Sequence, residues 1–285
     1  MIRLLRNLSK GAPVPVICAC IVLACLATLV YARVRGIVFF GRTAAGLTIV
    51  HDDTKVLGER IRVLEVEGTY QSATFLDERW AQPVFHYHAT FDHLFDAWPA
   101  GDGPELVAVL GGGGYAIPKH LVEHHGGIAR VDVVEIDPAI ERIARRHFFL
   151  DRLEARHGAA QGGPLHLHVG EASQWLEDCD LRFDVIINDC FFGFEPEERL
   201  ASAHAARLIR QHLRPQGIYL VNVVSALQGP EALPLYEQAG ALSRAFTHLW
   251  VYPLGADRPT LCDNNVLVAS NASHPFVGAW TWPPE

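Results

Sequence analysis

The sequence predicts an α/β protein: a Rossmann-like, methyltransferase-type, mostly parallel sheet, preceded by a small antiparallel β-domain and an N-terminal transmembrane helix. Three observations carry this. From Leu106 onward, apolar runs of strand length alternate with helical segments, which implies right-handed crossovers and parallel pairing. The first of these strands runs straight into Gly111-Gly112-Gly113-Gly114. Finally, Val14 to Tyr31 carry no charge and are nearly all apolar.

The N-terminal run follows Arg3, Arg6 and Lys10 and precedes Arg33 and Arg35. About 18 to 20 apolar residues suffice to cross the hydrocarbon core as a helix. An uncleaved single-pass anchor is expected. A signal peptide ending near Val30-Tyr31-Ala32 and a lipoprotein signal ending at Cys25 are the alternatives. Both flanks are basic, so charge gives no orientation. Residues 1–45 are read as anchor and linker, 46–100 as the small β-domain plus a helix, and 101–285 as the nucleoside-binding domain.

Leu47–Val50, Arg62–Val66 and Gln71–Leu76 read as short antiparallel strands. Pro83 opens a helix in which Val84, Tyr87, Phe91, Leu94, Phe95 and Trp98 recur at helical spacing. After a Pro/Gly linker, strands are expected at Leu106–Leu110, Val131–Ile136, Leu165–Val169, Val185–Asn188 and Ile218–Val223. Helices fall at Ile117–His125, Ala139–His147 and Leu200–Leu213. Phe246–Tyr252 and Val266–Ser270 finish the sheet, and the tail from Trp280 to Pro284 reads as loop.

Composition excludes several classes. Hydrophobic residues make up 49% and charged residues 20%, so the chain is not disordered. Net charge is -8 and the basic residues are scattered, so no nucleic-acid partner is expected. The six cysteines form no CxxC pair and read as free thiols. Among 15 histidines, His120 and His124 share a helix face and His166 and His168 a strand face. Either pair has zinc-ligand chemistry, but no Cys or acid at ligand spacing completes a site, so no metal is expected.

The glycines sit at a strand end before a helix, where the backbone must turn sharply and approach a ligand closely. Glu135 closes the next strand, placed to accept hydrogen bonds from both ribose hydroxyls. Asp137 follows it and is assigned to the same cofactor site. Gly170-Glu171 follows Leu165–Val169, where a carboxylate reads an adenine amino group or caps a helix. Asp189 follows the strand ending at Asn188. In an open α/β sheet these strand ends line one crevice. The four together fit an S-adenosyl nucleoside better than a dinucleotide.

These residues resemble the spermidine synthase (polyamine aminopropyltransferase) family over roughly Leu57 to Ser270. The resemblance rests on the small sheet, a Gln-containing strand, a Tyr-His helix, the glycine run, Val134-Glu135-Ile136-Asp137, Gly170-Glu171 and Phe183–Asp189. It implies decarboxylated S-adenosylmethionine as cofactor and a small-molecule amine as acceptor. It implies Gln71 near the thio-nucleoside, Glu135 on the ribose, Glu171 near the adenine and Asp189 as general base. Tyr87 and His88 fall where the family shapes the aminopropyl and polyamine region.

The chain departs from the family pattern at three acids, which are here Gly114, Ala89 and Phe192. Asp92, Asp96, Glu195 or Glu197 would have to substitute for them. Gly114 is also expected to free space for a full methionine tail. S-adenosylmethionine-dependent methyl transfer is therefore the alternative, and a catalytically weak nucleoside-binding membrane protein the third reading. Phe191, Phe192 and Phe194 form either core or an apolar wall beside the reacting centre. Nucleoside cofactors are cytosolic, so the domain is expected on that side. A homodimer is left open.

Overall fold

The computed structural model describes residues 14–54, 58–99, 102–192, 195–196 and 199–283. Arg3, Arg6, Lys10, Leu57, Phe194, Glu197 and Pro284 lie outside these residues. A helix, α1 (Val14–Val34), leads into a four-stranded antiparallel sheet of β1 (Ile37–Thr43), β2 (Gly46–Asp53), β3 (Ile61–Val66) and β4 (Thr69–Phe75), in that order. Strand β1 falls inside the stretch read as linker. Its Ile37-Val38-Phe39-Phe40 run extends the apolar stretch past Arg33 and Arg35, which hides its strand character. The helix expected from Pro83 is shorter: α2 (His86–Thr90) passes directly into a 3-10 helix, Phe91–Ala97.

Next come β5 (Leu106–Leu110), α3 (Ala116–His124), β6 (Arg130–Glu135), α4 (Pro138–His147), α5 (Leu150–His157), β7 (Leu165–Val169), α6 (Ala172–Asp178) and β8 (Phe183–Asn188). Short β9 (Phe191–Phe192) and β10 (Glu195–Pro196) pair with each other. Then come α7 (Ala203–Gln211), β11 (Leu213–Ser225), α8 (Leu233–Leu242), β12 (His248–Pro253), β13 (Asp263–Ser270) and β14 (Trp280–Thr281). The tail is therefore not all loop, because β14 pairs with β12.

The large sheet has the order β14-β12-β13-β11-β8-β5-β6-β7. Strands β11, β8, β5, β6 and β7 run parallel, and β13 is antiparallel to both its neighbours. The central strand β5 is apolar throughout because both its faces are covered, whereas β6, β7 and β8 also carry Asp132, His166 and His168, and Asp184. Val107, Val109, Val131 and Val133 face one core, and Ala108, Leu110, Val134 and Ile186 the other. The chain order reverses between β5 and β8, which opens a crevice at their C-terminal ends.

Helix α4 shows how local sequence sets an element. Asp137 is its N-cap and accepts from the Ala139 N–H at 2.8 Å, with Pro138 in the first turn. Ile140, Ile143 and Ala144 are buried, and Arg145, Arg146 and His147 sit in the last turn, where the helix dipole favours cations.

The small sheet is bolted to the large one by polar contacts. Asp137 Oδ2 accepts from the Ala45 N–H, and Arg62 Nη1 donates to the His147 carbonyl. Lys119, fully buried in α3, donates to Thr74 Oγ1 at 3.0 Å and to the Phe148 carbonyl at 3.1 Å. No described carboxylate pairs with it. Burial pushes its ammonium down to about 7.

An ordinary lysine titrates near 10.4 in the unfolded chain. Between pH ~7 and ~10 the unfolded chain therefore holds a proton that the folded one has released. Stability should rise with pH across that window by at most about 1.4 kcal/mol per unit. Replacing the amine by an apolar chain in Lys119→Met should remove this slope. Urea unfolding should show the variant's advantage over wild type largest at pH 6 and shrinking by about 1 kcal/mol or more by pH 9. A difference constant with pH would mean that the buried amine stays charged.

Candidate active site

The crevice at the β5–β8 switch contains two adjoining cavities. The first is lined by Gly111, Gly112 and Gly113 and by Val66, Ile117, Glu135, Ile136, Gly170 and Glu171. The second is lined by Glu65, Tyr70, Tyr87, Asn222, Asp263 and Asn264. Gln71, Asp189 and Phe191 belong to both walls.

The glycine loop is built around Glu135. Its Oε2 accepts from the Gly112 and Gly113 N–H groups at 3.1 and 2.9 Å, and its Oε1 accepts from the Asp137 N–H at 2.9 Å. Gly111 has φ +94°, and a Cβ there would lie 2.5 Å from the Asp189 carbonyl oxygen. Burial pushes the Glu135 carboxyl above its ordinary value, against the opposing pull of those three N–H groups. A carboxylate has about four acceptor sites, so one remains on Oε1 for a ligand hydroxyl. The surrounding Val66, Ile117, Val134, Ile136 and Ala172 supply apolar walls for a flat base.

Asp189 stands at the end of β8, its N–H donating to the Leu110 carbonyl of β5. Its Oδ2 accepts from Tyr87 Oη at 3.3 Å and lies 3.3 Å from His88 Nε2. Its Oδ1 accepts from Asn222 Nδ2 at 3.1 Å, and the same amide reaches Asn264 Oδ1 at 3.0 Å. Burial first, then the Asp189 charge, drives the Tyr87 hydroxyl well above its ordinary value, so it stays a neutral donor.

The structure thus brings Gln71, His88, Gly111, Gly112, Gly113, Glu135, Glu171 and Asp189 to the first cavity, and Tyr87 to the second. Two residues assigned to the cofactor line neither. Asp137 is spent on capping α4 and holding Ala45. Gly114 is packed against Ser72, so that an added Cβ would lie 2.5 Å from Ser72 Oγ and 2.8 Å from its Cβ. The expected free space beside Gly114 is therefore filled by β4. Glu171 caps α6, accepting from the Ser173 and Gln174 N–H groups and from Ser173 Oγ. The N-cap side of its two readings is realised, and the residue also lines the first cavity.

Of the substitutes weighed for the absent acids, Asp92 pairs with His120 and Asp96 with His93, and neither lines a cavity. The side chains of Phe192 and Glu195 lie outside the described residues. Ala89 is exposed and also lines neither cavity. Glu65, Asn222, Asp263 and Asn264 are among the polar residues of the second cavity that escaped the sequence reading, with Thr69, Tyr70 and His86. Asn222 had a signal, as the one polar residue inside the apolar run Ile218–Val223. Asp263 and Asn264 sit at the start of a strand that pairs with the distant β11, and Glu65 lies in a local hairpin whose closeness to Asp189 depends on how the two sheets pack.

Residues 84–233, more than half of the chain, match the family model of the spermine/spermidine synthase domain. Polyamine aminopropyltransferase 2 of Hyperthermus butylicus is 28% identical over 188 residues, covering 65% of this chain and 56% of that protein. The chain spans about half the length of the curated relatives it matches. Spermidine synthase from Thermotoga maritima shares the fold with a TM-score of 0.60 at 16% identity, over 83% of this chain and 73% of the other. A spermidine synthase in complex with the transition-state analogue AdoDATO gives 0.62 at 15% identity, over 83% and 74%. The chain belongs to the spermine/spermidine synthase family.

Proposed function

We propose that the chain transfers an aminopropyl group from decarboxylated S-adenosylmethionine to an amine, with Asp189 as the base. The observation that carries this is the position of Asp189 in the wall shared by two cavities, one suited to a nucleoside and one lined by carboxylates. The acceptor nitrogen attacks the carbon bonded to the sulfonium sulfur. An N–C bond forms, the C–S bond breaks with its electron pair going to sulfur, and methylthioadenosine leaves. The nitrogen's proton goes to Asp189. Sulfur is already a good leaving group, so the protein needs chiefly to align the reactants and take that proton. Tyr87, His88 and Asn222 hold the carboxylate in place, and Oδ1, with one hydrogen bond, has acceptor capacity to spare.

Glu65 and Asp263 supply what the absent family acids would have supplied. A second ammonium on the acceptor, buried without a partner, would be expensive. Two carboxylates in the second cavity favour a diamine or longer polyamine over a monoamine. The alternative of methyl transfer from S-adenosylmethionine rested on open space beside Gly114, and Ser72 occupies that space.

Helix α1 supports membrane anchoring. Its Ile17–Val34 window has a mean hydropathy of 2.3, and none of it is buried. Its 21 residues, at about 1.5 Å each, span about 31 Å, the thickness of a hydrocarbon core. We place the catalytic domain on the cytosolic side, where its nucleoside is made. Protease added to intact cells should leave the domain undigested, and digestion would put it on the other side.

Asp189→Asn tests the base. Turnover with decarboxylated S-adenosylmethionine and a diamine should fall by about 10²–10⁴, with methylthioadenosine affinity in calorimetry nearly unchanged. Near-normal turnover would make Asp189 structural. Glu65→Gln and Asp263→Asn test the acceptor. Each should raise the diamine KM by about tenfold or more, ~1.4 kcal/mol, and leave nucleoside affinity alone. An unchanged KM in both would remove these carboxylates from acceptor binding.

A further inference from the structure

Away from both cavities, three side chains converge at the junction of the 3-10 helix and α3. Asp92 comes from the 3-10 helix, His120 from α3 and His125 from the residue that ends it. His120 Nε2 lies 2.9 and 2.7 Å from Asp92 Oδ1 and Oδ2. His125 Nε2 lies 3.4 Å from Asp92 Oδ1. One ligand atom from each residue falls within 4.8 Å of the other two. His125 Nε2 is buried without a hydrogen-bond partner, and its ring is held in place by stacking on Phe95 at 3.9 Å between centroids.

The geometry points to a divalent transition-metal site of the zinc class, formed by Asp92, His120 and His125. Two imidazoles and one carboxylate are a borderline N2O ligand set that suits zinc rather than calcium or magnesium. With metal–ligand bonds of about 2.0–2.1 Å, tetrahedral ligands sit about 3.3 Å apart. The His125–Asp92 separation already has that value, and the His120–Asp92 contact needs to open by only about half an ångström. The unpartnered His125 nitrogen gains a bond that the apo arrangement denies it. Three protein ligands leave a fourth position for water or for His124, whose exposed ring is 5.0 Å from that of His120.

The expectation that no acid completes the histidine cluster is thus corrected by Asp92. It is 28 residues from His120 in sequence and adjacent in space. The location gives the metal a task. The 3-10 helix continues directly from the segment carrying Tyr87 and His88, and α3 follows the glycine loop within two residues. A metal here would staple the acceptor-side segment to the nucleoside-side helix without touching either ligand.

The test uses the full chain, purified in detergent without a histidine tag and stripped with a chelator. It is titrated with zinc alone against a chromophoric chelator, and separately with cobalt(II). We expect one equivalent to bind, thermal stability to rise, and cobalt to show the visible bands of a low-coordinate site. Asp92→Asn and His125→Gln should each lower zinc affinity at least about tenfold and abolish the stabilisation. His166→Gln, on a distant strand, should change neither. Absence of zinc uptake, or uptake unaltered in the variants, would leave only a His120–Asp92 ion pair and overturn the proposal. If Asp92→Asn does not fold, His125→Gln and the wild-type cobalt spectrum decide it.

Discussion

A carboxylate that takes hydrogen bonds from neutral side chains of separate elements holds those elements at one distance from one another. Asp189 does this for α2, through Tyr87 and His88, and for β11, through Asn222. Its own backbone is locked to β5. Every other feature of the crevice is placed relative to that point. The glycine loop begins beside the Asp189 carbonyl, the nucleoside-type cavity lies on one side, and the carboxylate-lined cavity lies on the other. Tyr87 and Asn222 donate without carrying a formal charge, so they orient the carboxylate without cancelling it. A lysine or arginine in their place would hold Asp189 more tightly and make it a poorer proton acceptor.

Most of the large sheet was legible because its signals are local. A parallel strand covered on both faces is a nearly continuous apolar run, and a turn that brings backbone close to a ligand favours glycine. Leu106–Leu110 with Gly111–Gly113 satisfies both within a few residues, and Val131–Val134, interrupted only by Asp132, still reads as a strand closed by Glu135. What stayed hidden depends on distance along the chain. β1 pairs only with β2, and its apolar run blends into that of α1. β14 is two residues long and exists because β12 offers an edge. Glu65 reaches the cavity wall of Asp189 only when the small sheet closes over the large one, and Asp263 only when β13 pairs with β11. Asp92 reads as one more surface acid until the 3-10 helix lies against α3.

The small sheet is not an appendage to the nucleoside domain. Ser72 fills the space at Gly114, Thr74 receives the buried Lys119 amine, and Asp137 holds Ala45. The same strand that brings Gln71 to the wall shared by the cavities therefore blocks the position where a longer side chain would otherwise sit. This gives a physical reason for glycine at 114. With β4 this close, any Cβ there would have to displace Ser72 or the ring of Phe148.

That packing bears on the missing acids as well. In an enclosed cleft, an ammonium can be satisfied from any direction that a carboxylate reaches, so recognition constrains charge and distance more than sequence position. Where the family motif would offer acids beside the glycine loop and on the Tyr-His helix, this chain offers Glu65 from β3 and Asp263 from β13. The loss at one set of positions is accompanied by acids at another, on the wall of the cavity beside Asp189. On the nucleoside side, Glu135 is committed to the loop that it shapes and Glu171 to the cap of α6. On the proposed reading, charge for the acceptor comes from both sheets, Glu65 from β3 and Asp263 from β13, while shape for the nucleoside comes from β5, β6 and their glycine loop. Changes confined to β3 and β13 would then alter the acceptor side without disturbing the glycine loop.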